Sequence, residues 1–329
     1  CGTVDCNPPG PSFTLADTNQ RLCYASTSAM TCPASGSYYG QDAQYGWDVT
    51  HDETERFTRD LSMSTKPVVT DNVTGLMWQG CAYGLTGDSC GTGSATAAEW
   101  DTHLANCDAL TWGGYTDWRL PDQYELMSIV DFGYSPSIDT TAFPGTPSGD
   151  FWSSSSYAYD VTGAWSMGSY GSKTDSVYAR CVRSGPKPRA AHFTRDTSVE
   201  DYPVVVDNAT GLEWQGCASG LTGNSCADGD VSEFTWADAL AHCEGLSWAG
   251  HDDWRLPNVK ELHSIVDDHV HSPAINATAF PATPSYYFWS SSTYLYGTSN
   301  AWTVNISISG SMSLYPKTWF VYVRCVRDM

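Results

Sequence analysis

Apolar positions along this chain recur in a set order, and the order occurs twice. Leu126, Ile129 and Val130 stand at the spacing of one helical face, and Leu262, Ile265 and Val266 repeat it 136 residues later. Just upstream, Asp117-Trp118-Arg119-Leu120-Pro121 returns as Asp253-Trp254-Arg255-Leu256-Pro257. Trp118 and Leu120 suit the end of a buried extended segment, and Pro121 suits the first turn of a helix, where its missing N–H costs nothing. The pattern predicts a strand-to-helix corner in each copy. Arg119 and Arg255, beside a tryptophan at that corner, read as structural partners of a nearby carboxylate or carbonyl rather than as catalytic groups.

Ahead of each corner, Phe57-Thr58-Arg59-Asp60 and Phe193-Thr194-Arg195-Asp196 lead to a Val-Val run. Asp71-Asn72-Val73-Thr74-Gly75-Leu76 or Asp207-Asn208-Ala209-Thr210-Gly211-Leu212 then follows, ending at Trp78 or Trp214. Strand, turn and strand predict a hairpin, with Asn72 and Asn208 suited to a left-handed turn position. Ala97, Trp100, Leu104 and Cys107 stand at helical spacing, as do Trp236, Leu240 and Cys243, so each copy expects a helix with its cysteine facing inward. Gly113-Gly114 and Ala249-Gly250 stop it. Beyond Phe151-Trp152-Ser153-Ser154-Ser155 and Phe288-Trp289-Ser290-Ser291-Ser292, each copy expects a Ser-rich loop region and two closing strands. The last strand ends in Arg180-Cys181-Val182-Arg183 or Arg324-Cys325-Val326-Arg327. Alternation puts Arg183 and Arg327 inward with the cysteines, where each needs a carboxylate or carbonyl partner.

The repeat divides the 329 residues into two domains, 57–185 and 192–329, joined by the Pro-containing linker Ser184 to Arg189. They are expected to superpose and to diverge between Trp165 and Arg180, where the second copy is longer by seven residues. Residues 1–56 form a loop-rich N-terminal arm with too few apolar residues for a core of its own. Holding such an arm costs roughly 1 to 2 kcal/mol per residue in backbone entropy, so contacts outside it must compensate. Two arrangements meet that need: the arm wraps its own domains, or it docks on a neighbouring copy. The second is preferred, because head-to-tail docking that does not close on itself generates a filament and makes the chain a homo-oligomer.

The net charge of −21 opposes nucleic acid, heparin-like polymers and anionic membranes as partners. Aromatic residues reach 13% and charged residues only 16%, which describes a packed protein rather than a disordered acidic one. No apolar run approaches a transmembrane span, and the lack of a leader fits a mature chain. Four cysteines fall in each segment: Cys1, Cys6, Cys23 and Cys32 in the arm; Cys81, Cys90, Cys107 and Cys181; then Cys217, Cys226, Cys243 and Cys325. Six disulfides and an extracellular or cell-surface location follow. Short spacing suggests clips at Cys81 to Cys90 and Cys217 to Cys226, leaving Cys107 with Cys181 and Cys243 with Cys325. A long bridge of this kind is worth roughly 4.5 kcal/mol as an upper figure. In the arm three pairings are open, Cys1 with Cys6 and Cys23 with Cys32 being the local choice. Lipidation of Cys1 would leave an orphan thiol, so a disulfide is preferred there.

The ordered set Asp-Asn-X-Thr-Gly-Leu-X-Trp, a Trp and Cys helix, Asp-Trp-Arg-Leu-Pro with Glu-Leu, Phe-Trp-Ser-Ser and terminal Arg-Cys-Val-Arg resembles the Lcl C-terminal domain family in both copies, nearly end to end. Asp17-Thr18-Asn19-Gln20, Cys23-Tyr24, Cys32-Pro33 and Tyr39-Gly40-Gln41-Asp42-Ala43 resemble the lead-in found before such domains. The resemblance implies an α+β fold: two tandem C-type-lectin-like domains, each with two helices flanking a small twisted sheet, adjoining termini and a long loop region. It implies a secreted or surface-exposed protein and supplies no activity. Adhesion to sulfated glycans, linked to the namesake, is opposed here by the charge of −21.

Catalytic chemistry finds little support. The serine tracts have no histidine at a matching position in both copies, as a triad would need. His263, His269 and His271 lie close in sequence, yet the first copy has Met127 where the second has His263. Calcium is a better metal candidate, with Asp71, Asn72, Asp207, Asn208, Asp117 and Asp253 as recurring oxygen donors. The triplets with which lectins of this fold bind sugar through calcium are absent, so no cofactor is assigned. The sequons at Asn72, Asn208, Asn276 and Asn305 leave glycosylation open. The expected function is that of a non-enzymatic extracellular structural protein, a self-assembling subunit of a surface filament or array. The alternative is an adhesin whose loops, Tyr157 to Gly171 and Tyr294 to Gly310, bind a glycan or protein.

Overall fold

The computed structural model describes residues 15–45, 56–133, 137–167, 169–184, 192–307 and 310–329. In the first repeat the strands Phe57–Asp60, Val68–Asp71, Met77–Gln79 and Val182–Arg183 form one antiparallel sheet, in that spatial order. Phe193–Asp196, Val204–Asp207, Leu212–Gln215 and Val326–Asp328 form its counterpart. The opening and closing strands of each repeat thus share a sheet. A second sheet has three strands in the first repeat (Trp152–Ser156, Gly163–Ser166, Tyr170–Ser172). In the second repeat it has five, built on Tyr287–Thr293, Asn300–Asn305 and the longer Ser311–Pro316. Among the described residues four short α-helices complete this α+β architecture: α1 (Trp100–Asp108), α2 (Gln123–Ser128), α3 (Trp236–Glu244) and α4 (Val259–Ser264). Among the described residues no sheet joins the repeats.

The predicted hairpins form, with Val69 opposite Trp78 and Val205 opposite Trp214. Their turn chemistry differs from the expectation. The left-handed residues are Gly75 (φ 71°) and Gly211 (φ 79°), not Asn72 and Asn208. The preceding aspartate organises the turn: Asp71 Oδ1 accepts the N–H of Val73 at 3.0 Å, and Asp207 Oδ1 that of Ala209 at 2.9 Å. This leaves the Asn side chains free to bond Thr58 and Thr194 on the neighbouring strand.

The recurrent corner has a compact explanation. Pro121 lies one residue before the N-cap Asp122, rather than inside the first turn as expected. Asp122 accepts the N–H of Glu125, and the Glu125 carboxylate accepts the N–H of Asp122 at 2.9 Å, a reciprocal capping box. The same carboxylate takes two hydrogen bonds from Arg119, each 2.6 Å. Asn258, Glu261 and Arg255 repeat the arrangement. One glutamate therefore caps a helix and neutralises the corner arginine, which ties Asp-Trp-Arg-Leu-Pro to Glu-Leu at a fixed spacing. The backbone of Arg119 exchanges 2.9 Å hydrogen bonds with Val182, locking the corner to the closing strand.

On α1 the inward face carries His103 and Cys107, while Trp100 and Leu104 are half-buried. His103 lies edge-on to Tyr83. The serine runs, expected to lead into loop, are themselves strand. Ser153 and Ser290 are fully buried, and their hydroxyls donate to the carbonyls of Trp165 and Trp302. Each satisfies a core carbonyl within the adjacent strand.

Among the described residues five disulfides are formed: Cys23–Cys32, Cys81–Cys90, Cys107–Cys181, Cys217–Cys226 and Cys243–Cys325. Cys1 and Cys6, residues 46–55 and the linker after Ser184 lie outside the described residues. Each repeat has its own core cluster, and Met127, Val130 and Phe132 of the first repeat pack into the core of the second.

The arm's described part, residues 15–45, packs on its own chain. Gln20 bonds the main chain of Thr293 in both directions, at 2.6 and 3.0 Å. Thr18 O accepts from Phe132 N at 2.8 Å, and Tyr45 donates to Glu244 at 2.6 Å. A Cβ on Gly133 would lie 1.8 Å from Asn19 O, so only glycine admits the arm there. The preferred expectation, an arm held by a neighbouring copy, is therefore corrected for this stretch. Its carbonyls and amides find partners along the groove between its own repeats.

Candidate functional site

Two surfaces stand out, one on each repeat, and both arise where the repeats differ. In the first repeat, a pocket of about 290 Å³ is walled by Leu126, Ile129, Ile138, Phe151, Met167 and, from the second repeat, Tyr296. Gly149 and Asp150 stand exposed at its mouth. Arg180 also lines it, 1% exposed, donating to Gln79 O at 2.8 Å and Thr146 Oγ1 at 2.7 Å. No carboxylate pairs with Arg180 among the described residues. Burial, with Arg59 nearby, pushes its guanidinium down to about 9.

In the second repeat, Tyr286 and Tyr287 occupy the positions of Gly149 and Asp150. Their rings join an aromatic platform: Tyr287 lies 4.6 Å from Tyr315, Tyr315 lies 5.2 Å from Trp319, and Tyr286 lies 5.8 Å from Tyr322. Trp319 and Phe320 are the most exposed part, at 55% and 62%. The same turn in the first repeat carries Asp175 and Ser176. Asp175 N donates to Ser172 O just as Trp319 N donates to Pro316 O. Sequence reasoning missed both surfaces. The signal that could have found them is the comparison of the copies with each other, since Gly-Asp against Tyr-Tyr and Asp-Ser against Trp-Phe are abrupt exchanges in a shared frame.

The sequence-derived candidates are placed as follows. Arg183 donates to both oxygens of Asp117, at 2.7 and 3.0 Å, and Arg327 to both of Asp253 and to Glu213. These bonds hold the carboxyls of Asp117 and Asp253 below their usual range. Asp71 and Asp207 are fully buried and committed to their turns, so the proposed calcium donors are not brought together. His263 is buried against Gln123, His269 is exposed, and His271 meets the ring of Tyr159. A small polar pocket of about 120 Å³ lies beside His192, Asp267, Asp268 and His269. Among the described residues no group of three or more His, Cys, Asp or Glu could hold a metal ion. Asn72 and Asn208 are exposed, whereas Asn305 is buried and accepts from Ser307.

The arm contributes a buried carboxylate, Asp42, which accepts from Thr18 Oγ1 at 2.9 Å and from Ser292 Oγ. Burial first, and Asp17 second, push its carboxyl up to about 8.

A family model, the Lcl C-terminal domain, matches twice, over residues 67–183 and 203–327. The chain belongs to the Lcl C-terminal domain family. None of the curated proteins compared matches it. In both Lcl C-terminal repeats the matched span runs from the hairpin to the closing strand. The family assignment therefore covers the shared frame, and the pocket and platform are elaborations on it.

Proposed function

We propose that this tandem Lcl C-terminal domain protein is a non-enzymatic extracellular structural protein that assembles with copies of itself into a filament or array. The observation carrying this reading is the aromatic platform of the second repeat, a surface rich in the residue types enriched at protein interfaces. Beside it runs the edge strand Ser311–Pro316, six residues without a charge on a chain of net charge −21. Assembly runs through the repeats rather than the described arm, which is engaged in cis. A C-type-lectin-like fold accords with two short helices, small sheets and opening and closing strands side by side. Five bridges accord with an oxidising location, and no described helix is long and apolar enough to cross a membrane.

Sedimentation velocity with negative-stain electron microscopy tests the reading. Filaments or concentration-dependent oligomers are expected, and a monodisperse monomer at the highest soluble concentration rejects it. An adhesin is the second reading, favoured by the loop rings of the first repeat. Tyr157 stacks on Tyr170 with centroids 4.1 Å apart, and Tyr159 is 63% exposed, offering aromatic faces to a sugar ring. Binding on a glycan array that Tyr159→Ala and Tyr170→Ala abolish would support it.

A further inference from the structure

The platform and the pocket are complementary, and they sit on different repeats of one chain. We infer that a second copy of this chain seats Trp319 and Phe320 in the pocket of the first repeat, head to tail. This rests on the self-assembly reading and names its contact.

The residues that form each half of the contact differ between the repeats. The first repeat has the pocket and carries Asp175-Ser176 at the turn where a knob would stand; the second carries Trp319-Phe320, with Tyr286 and Tyr287 in place of Gly149 and Asp150. The knob is pre-formed: Trp319 N donates to Pro316 O at 2.9 Å, its ring stands against Tyr315, and the following Val321 is buried. Anchors held in this way lose little freedom on docking. Trp319 is 55% exposed, so it does not fill the pocket of its own chain.

The pocket, about 290 Å³, suits one or two aromatic rings. Its wall is apolar, and Asp150 offers an acceptor for an indole N–H. Tyr296 completes the wall from the second repeat, so the socket exists only where both repeats meet. Because knob and socket are different surfaces, each copy presents one of each, and the contact propagates rather than closing on a pair. Copies of charge −21 repel at long range, so salt strengthens the association by screening.

Sedimentation velocity of the full chain tests the contact. The double variant Trp319→Ser with Phe320→Ser removes the knob. Ser148→Trp, or Asp150→Tyr, which copies the second repeat, blocks the socket. Near-UV circular dichroism and melting establish that each is folded, and two blocking variants guard against one failing to fold. Each alone is expected to self-associate roughly 30-fold more weakly than the unaltered chain. An equimolar mixture of knobless and blocked chains should form one-to-one dimers that grow no further, since one intact socket and one intact knob remain. If both variants lose association but the mixture forms no dimer, the knob meets something other than this socket and the inference falls. If all variants associate as the unaltered chain does, the contact is wrong while self-assembly stands. If the unaltered chain is a monomer throughout, the self-assembly reading falls and the contact with it.

Discussion

Arg180 and Arg324 sit in the same surroundings in the two repeats. Each donates to a hairpin glutamine carbonyl and to a threonine hydroxyl, with a phenylalanine ring 4.7 or 4.8 Å away. The helices α2 and α4, which follow the corner in each repeat, tell the opposite story. They pack against each other, yet α2 brings Gln123, Tyr124 and Met127 to the seam where α4 brings Val259, Lys260 and His263. Tyr124 OH donates to Val266 O; Lys260 Nζ donates to Ser128 O at 3.1 Å and to Asp17 O at 2.6 Å. On these helices Gln123, Tyr124 and Met127 and their counterparts, which meet the other repeat or the arm, have diverged, while the arginine surroundings inside each repeat are duplicated.

The comparison can be broken or sharpened by experiment. Removing the long bridge, Cys107→Ser with Cys181→Ser or Cys243→Ser with Cys325→Ser, should cost about 4 kcal/mol in the repeat affected. Calorimetry should then show a split melting profile, with the unaltered repeat unfolding later. A single sharp transition would mean that the seam couples the repeats more tightly than their separate cores imply. Arg180→Met and Arg324→Met should each cost about 3 kcal/mol in denaturant unfolding, because each orphans a buried carbonyl. Unequal costs would show that the matched surroundings are not energetically equivalent. Lys260→Tyr, which gives the second repeat the residue of the first, should cost about 2 kcal/mol by taking the Lys260 donor from Asp17 O and leaving Ser128 O to Arg56. Hydrogen exchange should rise at Ser128 and along the arm, and not in the distant hairpins.

The arm gives a smaller, pH-dependent effect. The Asp42 carboxyl binds its proton more tightly when docked, about 8 against 3.8 for the free group. Its contribution to docking is therefore complete below about 4 and is lost as pH rises through about 8. Proteolysis of residues 15–45 should accelerate over that window, and Asp42→Asn, which mimics the protonated form, should flatten the profile. Smallest of all, Arg327→Ala should lower the melting temperature more than Arg183→Ala, by about 2 °C, since Arg327 holds Glu213 as well as a largely exposed aspartate. Equal shifts would show that Glu213 adds nothing.

Much of the frame was legible because it is local. The hairpins follow from Val-Val, Asp-Asn and Trp within a dozen residues. The corner follows from Trp118, Leu120 and the helical spacing of Leu126 and Ile129. The pairing of Arg119 was expected in kind, but its partner, Glu125, emerged only with the capping box. Turn details were misplaced where two residues compete for one role: Asp71 took the turn and Gly75 the left-handed position, leaving Asn72 to cross-strand bonding. The serine runs were not assigned to a strand because three polar residues in a row carry no alternation to mark one, although Ser153 and Ser290 satisfy buried carbonyls there.

The sequence alone determined the two repeats, their α+β frame and the even cysteine complement of each segment, because duplication and short-range periodicity are written in residue order. The tertiary structure decided which way the arm turned. It decided that α2 lies against α4, and that Tyr296 of one repeat walls a pocket in the other. Those contacts join segments more than a hundred residues apart, and they depend on surface complementarity, which no local spacing encodes. Gly149-Asp150 and Trp319-Phe320 look like loop variation in the chain, and they become a socket and a knob only when the folded repeats give each a surface.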